Sequence, residues 1–210
     1  MKKVVVVDID GTLVDTQAGI YEAINSVLVH YNKTPIKMSE LNQFIGPPIK
    51  ESFVSLCDFE EERIGEAVDL YRHNYVSKYI YNSQLYEGWD KILQELKKRD
   101  YILGIATLKT EKQSIKLLEY LGLYRMFDIV QSAREDGSLR KQDMLKYIRE
   151  KYQSECDEFY MIGDTMGDYY ASVENNYRFI FAEYGYGDMK GGLNCLAIES
   201  PLDLFSFLSI

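Results

Sequence analysis

The chain has 210 residues, a formal net charge of −9 at pH 7 and an apolar content of 46%. This length is enough for one hydrophobic core and a smaller second domain. The acidic balance argues against binding to nucleic-acid phosphates, and no apolar run approaches the length of a membrane-spanning helix. The three cysteines are far apart and odd in number, which favours reduced thiols over a disulfide framework. We therefore expect a soluble cytoplasmic protein with neither nucleic-acid nor membrane partners.

The first segment with a clear pattern is a run of valines that ends in acidic residues. Residues 4–7 are all valine, a composition typical of a strand buried on both faces of a parallel sheet. Asp8 and Asp10 follow, and Gly11 interrupts the extended pattern. Residues two apart in an extended chain share a face, so the two carboxylates are expected to project into the same space. Open α/β sheets bind ligands at such strand ends, which favours a metal or acid/base site over a simple polar exit.

The next part of the chain has a helical pattern. Apolar residues recur at helical spacing over 20–31 and over 60–79. A helix break at 34–35 and a rigid glycine-proline turn at 45–48 lie between them. No convincing strand pattern occurs within 16–86, so this block predicts a small helical domain inserted after the first strand.

From residue 87 onward, helical and strand patterns alternate. The predicted strands cover 101–107, 128–131, 159–163, 178–182 and 196–198. Such alternation is typical of a parallel, doubly wound sheet. We predict an α/β fold in which 1–15 and 87–210 form a Rossmann-like parallel-sheet core and 16–86 form an inserted α-helical domain.

Side chains suited to chemistry follow four of the predicted strands. In chain order they are Asp8 with Asp10, Thr107, Lys141, and Asp164 with Asp168. Gathering these four carboxylates into one crevice would be costly without a cation between them. Mg²⁺ prefers oxygen ligands and keeps waters and a substrate phosphate beside carboxylates. Zinc and copper are disfavoured because the two histidines, His30 and His73, lie in the helical insert.

A hydroxyl and an ammonium group beside a metal suit an anionic ligand rich in oxygen, of which phosphate is the obvious example. Each side chain also has a purely structural interpretation. Thr107 would cap a helix, Lys141 would be a solvated surface lysine, and Asp168 would stabilise a helix N-terminus. The consistent order of the four sites at consistent strand ends favours the functional interpretation.

This ordered set resembles the haloacid dehalogenase-like hydrolases over nearly the whole chain. Residues 7–13 (VDIDGTL) are similar to the first motif of that family, and residues 163–168 (GDTMGD) are similar to its fourth. Thr107 and Lys141 stand where the weaker second and third motifs are expected. The insert, which would be a cap domain, resembles that of the phosphoglycolate phosphatase-like branch, and so do three short segments: 45–48, 85–88 and 184–187.

Two positions depart from the family pattern. Leu108 follows the threonine of the second motif, where the family usually has a small polar residue. Gln142 follows Lys141, where the family often has proline. Lys109 and Arg140 therefore stay as rival candidates for the phosphate-binding cation.

The resemblance implies a phosphatase that forms an aspartyl-phosphate. In it, Asp8 is the nucleophile and Asp10 is the general acid and base. Mg²⁺ is held by the Asp8 carboxylate, the Asp10 backbone carbonyl and Asp164, and Asp168 supports the metal or Lys141. Dehalogenases of the same fold lack an acid equivalent to Asp10, so its presence favours phosphatase chemistry.

The phosphoryl oxygens are expected to contact a small set of groups. Thr107 and Lys141 would orient them, and backbone N–H groups near Gly11 would add donors. The cap would select the leaving group, with Pro47 and Arg72 as candidate substrate contacts. A salt bridge within the cap is an equally good explanation for Arg72. The glycines of 185–192 lack P-loop spacing and predict a loop at the rim of the site.

The expected partner is a small phosphorylated metabolite similar to phosphoglycolate, bound by a monomer or homodimer. A sugar phosphomutase and a nucleotide or pyrophosphate phosphatase of the same family stay open as alternatives. A phospho-receiver signalling domain is disfavoured. Receivers place adjacent acids after the first strand and the phosphorylated acid after the third, which this sequence does not.

Overall fold

The computed structural model describes residues 2–45, 47–187, 195–208 and 210. The chain divides into two compact units, Met1–Asp15 with Gln84–Ile210, and Thr16–Ser83. The strands are β1 (Lys2–Val7), β2 (Val14–Asp15), β3 (Gln84–Leu85), β4 (Ile102–Thr110), β5 (Ile129–Ala133), β6 (Cys156–Gly163), β7 (Arg178–Ala182) and β8 (Leu196–Ile198). The α-helices are α1 (Gln17–His30), α2 (Ile49–Cys57), α3 (Glu61–Ser77), α4 (Trp89–Lys98), α5 (Glu111–Tyr120), α6 (Lys141–Tyr152), α7 (Met166–Glu174) and α8 (Leu204–Phe207). No helix among these residues is long and apolar enough to cross a membrane.

The first unit is built on a six-stranded sheet with the order β5-β4-β1-β6-β7-β8. Every neighbouring pair in it is parallel, which confirms the predicted Rossmann-like core. The chain adds β4 and β5 on one side of β1 and then β6, β7 and β8 on the other. Ligands of open α/β sheets bind where the strand order reverses, outside the carboxyl ends of the strands. That position is the end of β1, directly before Asp8.

The valines of β1 explain why this strand lies at the centre. Residues 4–7 have no exposed surface, because both faces of the sheet are covered. Val4 and Val6 belong to a core cluster that includes Met144 and Ile148 of α6. The alternating residues, Val5 and Val7, point to the opposite face. On that side α4 and α5 pack against β4.

The second unit is helical. Helix α3 packs against both α1 and α2. Part of its core is aromatic: the rings of Tyr71 and Tyr75 stack at 6.0 Å, and Phe53 meets Tyr71 edge-on at 6.1 Å. The apolar spacing predicted helices in this part of the chain, and α1 and α3 lie where that spacing occurs.

The boundary after the insert lies earlier than the predicted residue 87. The first unit resumes at Gln84, because β3 pairs antiparallel with β2 through Asp15–Gln84 and Val14–Leu85. The sequence pattern predicts no strand within 16–86, and β3 is a short exception. A strand of two residues cannot show an alternating pattern, so only the pairing identifies it.

Truncating Ile162 tests the contribution of the central strands to stability. Ile162 is fully buried in β6, opposite Val7, so Ile162→Ala should lower the free energy of unfolding by about 2–5 kcal/mol. Urea denaturation measures this loss. Val173→Ala is the control, because Val173 is 56% exposed and should change the value by about 0.5 kcal/mol or less. Equal losses for the two variants would contradict the assigned core.

Candidate active site

The segment after β1 forms a tight turn that holds two acids. The carbonyl oxygen of Ile9 accepts hydrogen bonds from the N–H groups of Leu13 at 3.1 Å and Val14 at 2.9 Å. Gly11 has φ +72°, in the left-handed region that favours glycine. The turn thus begins at Ile9, directly after Asp8, whose N–H group still donates to the Ile162 carbonyl at 3.0 Å.

Gly11 itself has a structural function in this turn. Its N–H group donates to the Val14 carbonyl at 3.1 Å, so in this conformation it is not available to a phosphate as the sequence analysis expected. A side chain at this position would overlap with the carboxylate of Asp164. Glycine is thus required both by the backbone conformation and by the close approach of Asp164.

Three of the four predicted acids come together. Asp8, Asp164 and Asp168 are buried, and each offers one carboxylate oxygen within 4.8 Å of the other two. The side chain of Asp10 is outside this group and is 20% exposed. The gathering of all four carboxylates in one crevice stays a prediction for Asp10, whose charge is one of those that raise the pKa of Asp8.

Lys141 neutralises part of this acidic group. It is the first residue of α6, and its buried Nζ lies 2.9 Å from Oδ2 of Asp8 and donates to Oδ1 of Asp168. The neighbouring Arg140 is 69% exposed and pairs with Asp143 at 3.4 Å. Of these two rivals for the phosphate-binding cation, only Lys141 reaches the acids.

Asp168 contacts Lys141 and also caps a helix. One carboxylate oxygen accepts from Lys141. The other accepts from the N–H group of Thr165 at 3.0 Å and from its hydroxyl at 2.6 Å, which completes a capping box at the start of α7. The helix cap thus fixes the carboxylate that holds the lysine.

Asp164 is held by a loop that the sequence analysis placed at the rim. Its Oδ2 accepts from the N–H groups of Tyr186 at 2.9 Å and Gly187 at 3.1 Å, and its Oδ1 accepts from the Thr12 hydroxyl at 3.1 Å. A side chain at Gly185 or Gly187 would overlap with Asp164. The alternating glycines in 184–187 were the available signal for this close packing. Gly191 and Gly192 lie outside the described residues.

Strand β4 places two further site residues. The sequence pattern predicts that this strand ends at Thr107, but the strand continues to Thr110, and its register against β5 shifts between these two residues. Thr107 is buried two residues beyond Ile105, which pairs with Val7. Thr107 therefore lies next to the start of the turn that follows β1.

Lys109, the other rival candidate for the phosphate-binding cation, has a partner that the sequence did not predict. Its side chain is 5% exposed, and its Nζ lies 2.9 Å from Oδ1 of Asp10. The backbone N–H group of Lys109 donates to the Thr107 hydroxyl at 3.3 Å. Leu108, between them, is 40% exposed. The two buried lysines thus pair with different acids.

The two candidate cap contacts lie in the second unit. Pro47 is exposed shortly before α2, and Arg72 lies in α3 with an ion pair to Asp69 at 3.9 Å. Gly46 is outside the described residues. A role for Pro47 or Arg72 in substrate binding stays a prediction.

Burial and mutual repulsion change the acidity of the cluster. Burial raises the pKa of Asp8 to about 7, with Lys141 acting against the rise and the charge of Asp168 adding to it. Burial also raises the pKa of Asp164 to about 6, and Asp168 adds to this shift as well. For Lys141, burial lowers the pKa, but the charges of Asp168 and Asp8 outweigh it and the net direction is upward. The lysine is therefore charged, and the cluster has excess negative charge.

This donor set suits a hard divalent cation. The three residues offer buried carboxylate oxygens, and no histidine or cysteine belongs to the group found among the described residues. Oxygen donors with excess negative charge match the preference of Mg²⁺ and similar ions. The arrangement can therefore hold a cation next to the acid at the end of β1.

Comparisons with known proteins agree with this geometry. The family model for "Haloacid dehalogenase-like hydrolase" matches residues 5–182. The chain is 27% identical to a 5'-nucleotidase of Pseudomonas aeruginosa, over 86% of this chain and 82% of that protein. It is 26% identical to a phosphoglycolate phosphatase of Nitrosospira multiformis, over 95% and 92%. It is 32% identical to the pyrophosphatase PpaX of Bacillus velezensis, over 77% and 74%.

Solved structures lead to the same family. A crystal structure described as a predicted phosphatase from Clostridium acetobutylicum superimposes with a TM-score of 0.85 at 30% identity, over the full length of both chains. These matches confirm the resemblance found in the four motifs. The chain belongs to the haloacid dehalogenase-like hydrolase family and is one of its phosphatases.

Proposed function

We propose that this phosphatase depends on Mg²⁺ and hydrolyses a small phosphomonoester, similar to phosphoglycolate, through an aspartyl-phosphate on Asp8. The main supporting observation is the separation of two acids by one turn. Asp8 is buried beside Lys141 and two further acids, whereas the Asp10 carboxylate is partly exposed and pairs with Lys109. Two carboxylates in different environments suit two different roles, nucleophile and acid/base.

In the first half-reaction, a carboxylate oxygen of Asp8 attacks phosphorus. A new bond forms between this oxygen and phosphorus, and the bond from phosphorus to the leaving oxygen breaks. Asp10 donates its proton to that oxygen. Thr107 and Lys141 hold the phosphoryl oxygens, and Lys141, 2.9 Å from Asp8, keeps the nucleophile in place.

In the second half-reaction, water attacks the phosphorus of the aspartyl-phosphate. Asp10, now ionised, accepts a proton from this water. The bond from phosphorus to the Asp8 oxygen breaks, which releases inorganic phosphate and restores the Asp8 carboxylate. Asp10 ends the cycle with the proton that it donated in the first half-reaction.

The acidic cluster would hold the metal ion. The carboxylates of Asp8 and Asp164 and the backbone carbonyl of Asp10 are the proposed ligands, and Asp168 supports Lys141. When bound, Mg²⁺ supplies positive charge that offsets the negative charge of the phosphoryl group. Asp164 is fixed by three hydrogen bonds from Thr12, Tyr186 and Gly187, as a ligand of a defined site would be.

We also propose that the helical unit Thr16–Ser83 is the cap that selects the leaving group. Its insertion directly after the catalytic turn supports this role, since the chain leaves the first unit at Asp15 and returns at Gln84. The relatives are named for a nucleotide, phosphoglycolate and pyrophosphate, so the natural substrate is expected within or near these classes.

The raised pKa of Asp164 gives a test of the metal site that does not depend on activity. The pKa of about 6 exceeds the ordinary carboxyl value, so the folded protein binds a proton on Asp164 more tightly than the unfolded chain does. This proton stabilises the folded state at low pH, and the stabilisation is lost as the pH rises through about 4–6. Near pH 8 the charged carboxylate therefore destabilises the metal-free protein. Asp164→Asn should raise the melting temperature in EDTA at this pH and should abolish stabilisation by Mg²⁺.

Thermal unfolding in EDTA and in Mg²⁺ measures both effects. Asp157→Asn is the matched control, because Asp157 is exposed and should leave both melting temperatures unchanged. A melting temperature of Asp164→Asn that still rises with Mg²⁺ as in the wild type would refute Asp164 as a ligand. Activity that survives EDTA, or returns only with Zn²⁺, would refute the dependence on Mg²⁺.

Substitutions of the two acids test their separate roles. Asp8→Asn should abolish turnover and the phosphoenzyme, because an amide is a poor nucleophile. Asp10→Ala should slow each step that needs proton transfer by about 10²–10⁴-fold. p-Nitrophenolate leaves without help from an acid, so this variant should give a burst of nitrophenolate and accumulate phosphate on Asp8. Rapid quenching and mass spectrometry would detect it, and phosphate on Asp10 or Thr107 would contradict the assignment.

A substrate panel tests the reaction class and the cap. Phosphoglycolate, nucleoside 5'-monophosphates, pyrophosphate and p-nitrophenyl phosphate are assayed for released phosphate. Free phosphate from the aryl ester without a bisphosphate activator is expected of a phosphatase and not of a phosphomutase. Arg72→Met should change the ranking of the natural substrates more than the rate with the aryl ester. An equal decrease for all of them would contradict a selective cap.

A further inference from the structure

The irregular part of β4 brings a second lysine into the site. Lys109 lies where the register against β5 shifts, between Thr107 and Thr110. Irregularities of this kind re-aim side chains and are frequent beside active sites. In this stretch Thr107 and Lys109 are both buried, with the exposed Leu108 between them.

The burial of Lys109 indicates a fixed position. Its side chain is 5% exposed, and ordering so long a side chain is entropically costly. A buried ammonium group also needs a negative partner to offset its desolvation. Nζ lies 2.9 Å from Oδ1 of Asp10, which provides this partner.

The neighbourhood explains why Asp10 needs to be held. Three other carboxylates lie in the adjacent cluster, and the carboxylate at position 10 is only partly buried. A carboxylate beside a cation site can bind that cation as an oxygen ligand, and this binding would compete with its role in proton transfer. A carboxylate bound there would no longer be available to donate a proton to the leaving group.

We propose that Lys109 is a positioning residue that fixes the Asp10 carboxylate for proton transfer, and that Lys141 is the cation that serves Asp8 and the phosphoryl group. This inference rests on the proposed function, since it assumes that Asp10 is the acid and base. The two buried lysines would then have different functions. Lys109 acts through Asp10, and its removal should affect steps in which Asp10 transfers a proton.

Kinetics of Lys109→Met separate positioning from phosphate binding. Without the ammonium group, phosphoenzyme formation from phosphoglycolate, whose leaving oxygen needs a proton, should fall by up to about 10²-fold. Phosphoenzyme formation from p-nitrophenyl phosphate, whose leaving group needs no proton, should be nearly unchanged, and inhibition by inorganic phosphate should stay as in the wild type. In an Asp10→Ala background, Lys109→Met should add no further loss.

Two further variants complete the series. Lys109→Arg retains the charge and should restore part of the rate with phosphoglycolate. Lys112→Met, at an exposed position in the first turn of α5, removes a lysine outside the site and should have no effect. If Lys109→Met fails to fold, Lys109→Gln takes its place, because glutamine retains a hydrogen-bond donor.

Three kinetic results would overturn the proposal. The first is an equal loss with both leaving groups together with weaker inhibition by phosphate, which would make Lys109 a phosphate-binding residue. The second is an unchanged rate with phosphoglycolate. The third is the same loss in the Asp10→Ala background as in the wild type, which would show that Lys109 does not act through Asp10.

A crystal structure of Lys109→Met gives a readout that is independent of activity. The Asp10 carboxylate should leave its place in this variant, and finding it unmoved would overturn the proposal. A wild-type protein that releases no phosphate from any ester would refute the proposed function instead. The position of Asp10 in the variant would still decide whether Lys109 holds it.

Discussion

The burial of like charges at the end of the central strand is the constraint on which the rest of the site depends. Asp8, Asp164 and Asp168 are held close together away from water, an arrangement that is unfavourable unless positive charge and hydrogen bonds offset it. Lys141 supplies one charge, and the backbone N–H groups of Tyr186 and Gly187 supply oriented dipoles. The raised pKa values of Asp8 and Asp164 indicate that this compensation is incomplete. A site with residual negative charge is suited to bind a cation.

The scaffold brings these groups together through close backbone packing. Gly11 and Gly185 leave no room for a side chain beside Asp164, and Gly163 leaves none beside Asp168. The turn that contains Gly11 is fixed further by the indole N–H of Trp89 and the hydroxyl of Tyr184, which both donate to the Thr12 carbonyl at 2.8 Å. The glycines allow the acids to approach, and the surrounding hydrogen bonds keep them oriented.

The two acids of the turn have separate surroundings although they are only two residues apart. Asp8 faces the buried cluster and Lys141, whereas Asp10 faces Lys109 on β4. Such a difference allows one carboxylate to act as nucleophile and the other to transfer protons.

The sequence by itself determined the parallel-sheet core and the helical insert, and it supplied a set of candidate site residues. The valines of β1, the alternation after residue 87 and the spacing of the acidic motifs are local patterns, and local patterns survive in a sequence. Only the tertiary structure decided the partners of the charged groups. Three features depend on segments far apart in the chain: the pairing of Lys109 with Asp10, the β2–β3 pairing that ends the insert at Ser83, and the contact of residues 184–187 with Asp164. Such contacts leave no periodic pattern, because they follow from how strands and turns pack and not from the order of neighbouring residues.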